Sequence, residues 1–175
     1  MKEEFSIELI RTSRGGSVWY HDMGVLQISV VAELEHGFPS EIVYPLEETL
    51  YQTLEALSVP VERVAERKKP ELQSHIGIWS SGKKLAAIGV HIRRFGKKQI
   101  SMFGAALNVF PLPANLCLID PCGISGKEST SLAEVLGKRL KYIEPRLVQV
   151  FQRKFQEVFK VETLIPEVTT QETIC

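Results

Sequence analysis

An excess of charge of either sign is missing from this chain: Lys and Arg together number 21, and so do Asp and Glu. Without one there is no broad field to hold a nucleic acid or an acidic membrane. Cysteine is scarce. Cys117, Cys122 and Cys175 cannot all pair with one another, and they lack the paired spacing of zinc sites. A reducing, cytoplasmic compartment is expected, with at least one thiol free for chemistry. His36, His75 and His91 are scattered and form no metal-like cluster, so no metal and no cofactor are expected. No apolar run is long enough to span a bilayer. Met1-Lys2-Glu3-Glu4 stands where a secretory signal would begin its apolar core, so none is expected. Neither a GxGxxG nor a GxxxxGKS pattern occurs, and there is no internal repeat.

What is present suits one compact domain over residues 1–175. Apolar residues make up 44% and charged residues 24%, an ordinary balance for a folded protein. Glu4 to Ile10 alternates weakly as a first strand. Ser17 to His21 reads as a second, and Leu26 to Val30 alternates cleanly with Val31 and Ala32 continuing it. Asp22-Met23-Gly24 would join these last two as a hairpin. From Pro39 the period changes. Leu46, Leu50, Leu54 and Leu57 line one face of a helix that Ser58 and Pro60 end, and charged Glu62 to Pro70 would be a surface connection.

Ile76 to Trp79, a turn at Ser80 to Lys83, and Lys84 to Arg94 predict a second hairpin. Gln99 to Phe103 returns after Gly96-Lys97-Lys98, and Ala106 to Val109 extends the sheet. Ser131 and Glu134 have capping-box spacing. Pro145 is expected in the first turn of a longer helix striped by Leu147, Phe151, Phe155 and Phe159. This order predicts an α/β (α+β) fold with a mixed, largely antiparallel sheet and flanking helices.

The candidate chemistry centres on Asp120-Pro121-Cys122-Gly123. Cys117, between two leucines, reads as a small core residue. Cys122 lies in a turn outside any periodic segment, so it is either a structural cysteine or a thiol activated by a nearby cation or helix N-terminus. Lys84 is either a solvated turn residue beside Lys83 or an amine partly desolvated at the mouth of an apolar strand. Arg14-Gly15-Gly16 is a turn, or a place where backbone N–H groups approach a ligand carbonyl. The basic run Arg93 to Lys98 is a solvated turn or a dock for an acidic carrier protein.

Four motifs occur in order. They are Arg14-Gly15-Gly16-Ser17-Val18-Trp19-Tyr20-His21, Lys84-Leu85-Ala86-Ala87-Ile88-Gly89-Val90, Gly104-Ala105-Ala106-Leu107-Asn108-Val109 and Pro121-Cys122-Gly123-Ile124. Thr130-Ser131-Leu132 comes after them. From about Arg14 to Phe159 the chain resembles the octanoyltransferase, or lipoyl(octanoyl) transferase, family. The resemblance implies the fold of lipoate and biotin protein ligases. It also implies an acyltransferase acting in protein lipoylation, which moves octanoyl (or lipoyl) from acyl carrier protein to a lysine of lipoyl domains. The acceptors it implies are the lipoyl domains of 2-oxoacid dehydrogenases and the glycine cleavage H protein.

Carried over by position, Cys122 would be the acyl-thioester nucleophile, and Lys84 would lower the thiol's pKa and act as base. Arg14, Gly15, Gly16, Ser17, Val18, Trp19, Tyr20 and His21 would line the acyl pocket with Ala87, Ile88, Gly89, Gly104, Ala105 and Ala106. The chain departs from the family pattern at Asp22-Met23-Gly24-Val25, where Gly-Pro-Gly-Gln is usual, and at Phe103, where a histidine is usual. Relatives usually carry a further strand and helix before the Arg-Gly-Gly motif. His21-Asp22 and Gly82-Lys83-Lys84 resemble the ATP-dependent lipoate ligases, which makes such a ligase one alternative. A non-catalytic lipoyl-domain or acyl-binding relative is another.

Overall fold

A computed structural model describes residues 10–11, 19–21, 23–62, 76–111, 119–120 and 128–162, with the backbone alone at Phe103. The strand expected at Glu4 to Ile10 and nearly all of the connection from Glu62 to Pro70 lie outside these residues.

Within them the sheet is built by pairing distant segments. Strands β1 (Val25–Ser29) and β2 (Ala32–Leu34) both pair antiparallel with β5 (Lys98–Asn108). β5 pairs with β4 (Lys83–Phe95), and β4 with β3 (Gly77–Ser80), again antiparallel. The strand order is β1-β5-β4-β3, and one parallel bridge joins Lys84 to Ser129.

Among the described residues the hairpin expected across Asp22-Met23-Gly24 is not seen: Trp19 to His21 belong to no strand, β1 takes β5 as its partner, and Ser17, Val18 and Asp22 lie outside the described residues. The reason lies at Gly24. Its carbonyl accepts the N–H groups of Val109 and Phe110 at 2.9 Å, and a Cβ there would collide with the backbone of Phe110 and Pro111. The chain is thus docked at the end of β5, ready to run back along it. The segments expected at Gln99 to Phe103 and Ala106 to Val109 are one continuous strand.

Helix α1 (Ser40–Ala56) packs its stripe of Leu46, Leu50 and Leu54, all fully buried, on one face of the sheet. Each such leucine contributes roughly 1.5–3 kcal/mol relative to exposure. Thr49 and Thr53 are equally buried. They are satisfied by donating to the carbonyls one turn back, Pro45 and Thr49, at 2.7 Å.

The short helix α2 (Leu132–Leu136) starts at Ser131, whose Oγ accepts the Glu134 N–H as its spacing predicts. A 3-10 turn, Gly137–Arg139, leads into α3 (Leu140–Phe159), which buries Ile143, Leu147 and Val150. Pro145 therefore lies inside α3, not in its first turn. It costs one backbone bond, which the packing of its buried neighbours offsets.

The start of α1 depends on one carboxylate. Glu41 accepts the N–H groups of Glu35 and Phe38 at 2.7 Å and of His36 at 3.1 Å. The Phe38 bond is the main reason its pKa lies below the usual 4.5, with His36 and Glu35 adding to it against some desolvation. A depressed carboxylate pKa gives stability that is complete above 4.5 and is lost as pH falls through the folded value. Urea unfolding curves should show this loss in acid for the wild type, and Glu41→Gln should be less stable at neutral pH with a flatter acid profile.

Candidate active site on the second face of the sheet

The alternation of strand side chains sorts the sheet into two faces. Leu26, Ile28, Ile78, Ala86, Ile88, Ala105 and Leu107 turn toward the helices and form or pad the core. By register Gly77, Ala87, Gly89, Gly104 and Ala106 fall on the other face, so its centre is paved with the smallest residues. Two of these glycines also serve the backbone. A Cβ at Gly104 would collide with the Ile28 carbonyl, and one at Gly77, where φ is +126°, would collide with the Ala86 carbonyl.

Lys84 reaches this second face through an irregularity. Ile78 pairs with Ala86 but Trp79 pairs with Lys84, so Leu85 is an extra residue on β4. A β-bulge of this kind places two residues opposite one and re-aims the side chains beyond it. In an unbroken strand Lys84 would share the core-facing side with Ala86. With the bulge, Leu85 and Ala86 both serve the core, and Lys84 shares the face of its partner Trp79. The residue is 3% exposed, and Nζ lies 5.8 Å from the Trp79 ring centroid.

The segment that carries Ser129 and Thr130 takes over as neighbour of β4 where β5 ends. Ser129 bridges to Lys84, and the Thr130 N–H donates to the Lys84 carbonyl at 2.9 Å. Asn108, at the end of β5, is fully buried and donates from Nδ2 to the Thr130 carbonyl at 2.9 Å. The Ala133 N–H donates to the Val109 carbonyl at 2.8 Å. Glu134 ties the outer edge, accepting Lys83 Nζ at 2.8 Å and Thr130 Oγ1 at 2.9 Å. The Lys83 bond is the main cause of its depressed carboxyl pKa. Four buried side-chain atoms on described residues lack a hydrogen-bond partner: Trp19 Nε1, Ser101 Oγ, Asn108 Oδ1 and Ser129 Oγ.

Of the residues singled out in the sequence, the register brings Lys84, Ala87, Gly89, Gly104 and Ala106 to one face. The side chains of Ile88 and Ala105 point the other way, into or against the core. Trp19 and Tyr20 are half-buried and His21 is exposed. Arg14, Gly15, Gly16, Ser17, Val18 and Cys122 lie outside the described residues. Asn108 and Ser129 were not singled out. Asn108 stands in a strand and Ser129 in a loop, and only the pairing of their segments with Lys84 reveals them. Among the described residues there is no group of three or more His, Cys, Asp or Glu that could hold a metal ion, and no helix long and apolar enough to cross a membrane.

Residues 2–159 match the family model described as the lipoyl protein ligase A/B catalytic domain. The octanoyltransferase of Koribacter versatilis is 35% identical over 165 residues, covering 90% of this chain and 60% of that protein. That of Nitrobacter winogradskyi is 34% identical, covering 86% of this chain and 64% of that protein. The chain thus spans less than two thirds of the length of these relatives. Among solved structures, a lipoate-protein ligase A bound with ATP superposes with a TM-score of 0.62 at 18% identity, over 88% of this chain and 61% of that one. A lipoate protein ligase from T. acidophilum with bound lipoic acid gives 0.61 at 17% identity, over 85% and 57%. At these identities the likeness is one of fold.

Proposed function

The chain belongs to the lipoyl protein ligase A/B catalytic domain family, and from that premise we propose that it is an octanoyltransferase. In this reading it moves an octanoyl (or lipoyl) group from acyl carrier protein to a lysine of a lipoyl domain, through a thioester on Cys122. Residues 1–175 would act as one catalytic domain in the cytoplasm. The lipoyl domains of 2-oxoacid dehydrogenases and of the glycine cleavage H protein would be the acceptors. One observation carries the reading: a buried lysine, aimed by a bulge onto the face of the sheet whose centre holds only glycine and alanine.

The chemistry follows from those groups. The Cys122 thiol gives its proton to Lys84 and attacks the donor thioester carbonyl. The carrier thiolate leaves and takes a proton back from Lys84. The acyl group stays activated throughout, so no ATP is consumed. In the second half the acceptor amine attacks the Cys122 thioester and loses a proton to Lys84, while the Cys122 thiolate leaves and is protonated in turn. Alanine and glycine side chains leave space above the strands where an extended acyl chain can lie.

Two of the residues that suggested an ATP-dependent ligase, Gly82 and Lys83, have another use. Gly82 turns the β3–β4 hairpin with φ of +74°, and Lys83 is engaged by Glu134. The test is intact-mass spectrometry after incubation with octanoyl-acyl carrier protein. One octanoyl adduct, labile to hydroxylamine and absent in Cys122→Ala, is expected. Absence of any adduct together with lipoate-dependent ATP consumption would favour the ligase instead.

A further inference from the structure

We infer that His91 and Met102 form the end wall of the acyl site and set the longest chain it accepts, at about eight carbons. The inference rests on the reading of the Lys84 face as the place where the acyl chain lies.

That face changes character along the strands. Across β4 and β5 its side chains come in opposed rows, each two residues beyond the last. Ala87 stands opposite Ala106 and Gly89 opposite Gly104, so two successive rows hold nothing larger than a methyl group. The next row is His91 opposite Met102. An imidazole and a thioether rise there, roughly perpendicular to the sheet, and both residues are half-buried. Beyond them Arg93 stands opposite Ile100 and Phe95 opposite Lys98, with Arg93, Phe95 and Lys98 exposed. An acyl tail that passed the third row would run among charges and water.

The lysine marks where the chain begins. Its side chain leans along the sheet toward the small rows, with Cε 3.2 Å from the point where a Gly77 Cβ would stand. Gly77 pairs with Ala87, so the lysine stem reaches the first small row. In the proposed reaction the acyl carbonyl lies within reach of that amine, and the chain therefore starts level with this row. From Ala87 to His91 is four residues, a rise of about 13 Å. Contact with the wall takes about 4 Å of this and leaves about 9 Å. An extended chain advances about 3.5 Å for every three single bonds. The seven carbon–carbon bonds of octanoyl thus span about 8 Å, and the eleven of dodecanoyl about 13 Å. Octanoyl fits the floor, and dodecanoyl runs into the two side chains.

The experiment offers the full chain an equal mixture of hexanoyl-, octanoyl- and dodecanoyl-acyl carrier protein and reads the adducts by intact mass. The wild type should favour octanoyl. Met102→Ala and His91→Ala each lower the wall on one strand and should raise the dodecanoyl share about 10-fold. Met102→Trp brings the wall inward and should shift the preference the other way, toward hexanoyl. A loss of stability cannot lengthen the preferred chain in one variant and shorten it in another. If one variant does not fold, the other two still decide the question. Ratios unchanged in every variant overturn the inference, and movement at one position alone removes the other from the wall. Calorimetry with the free hexanoate, octanoate and dodecanoate reads the site without transfer. A length preference that the variants move, with no adduct from any donor, sinks the transfer reading and keeps the wall. Adducts in unmoved ratios do the reverse, and neither adduct nor binding overturns both.

Discussion

Lys84→Met should lower octanoyl transfer by about 10²–10⁴-fold, the usual contribution of a positioned acid–base group, while the chain remains folded. Methionine matches the length and apolar stem of lysine, and the site is almost closed to solvent. Replacing a buried charge by an apolar group of similar volume is often neutral or stabilising. Thermal melts should therefore match the wild type, and the loss should appear in the rate alone. Rates should be followed as octanoylation of a lipoyl domain in single turnover, where the two half-reactions separate. Both should slow, because the proposed mechanism gives the same amine a proton to handle in each. Wild-type rates in the variant would show that Lys84 has no part in either.

Gly77→Ala should be strongly destabilising, by about 3 kcal/mol. Two penalties coincide there. The backbone φ of +126° is one that side-chain-bearing residues rarely adopt, and the new methyl would strike the Ala86 carbonyl. The same methyl would press on Lys84 Cε, 3.2 Å from the Cβ position. Urea unfolding should show the midpoint fall with little change in slope. Octanoyl transfer measured well below that midpoint should fall too, because the lysine is displaced. A variant as stable as wild type would mean that the β3–β4 pairing relaxes easily around an added carbon.

The sequence carries the helices well, because their signals are local. Leu46, Leu50 and Leu54 form one stripe, and Ser131 with Glu134 caps the next helix as their spacing predicts. The β3–β4 and β4–β5 turns are legible for the same reason, with Gly82 and Gly96 at positive φ. Strand partners are not local, and there the reading fails. Nothing in Leu26 to Ser29 says that its partner is Ala105 and Ala106 rather than the aromatic run before Gly24.

The face of Lys84 is a harder case. Alternation counted back from Ile88 and Ala86 puts it in the core, and only the register against Trp79 shows the extra residue that turns it outward. Asn108 and Ser129 are hidden likewise, since neither is near Lys84 along the chain. Their place beside Lys84 comes from the pairing of distant segments, which composition and periodicity cannot report.

The bond from Asn108 to the Thr130 carbonyl joins residues 22 positions apart, beside a second clasp from Ala133 to Val109. The chain is thus pinned at almost one point on either side of residues 110–127. Between two points clasped in this way, closure entropy depends only weakly on the length of the connection, a doubling costing about 0.6 kcal/mol. The clasp therefore separates two selective pressures. The sheet can stay constant while the connection between the clasps lengthens, shortens or changes composition. It also marks a graft site: exchanging the connection between homologues, with both clasps kept, should leave the scaffold folded.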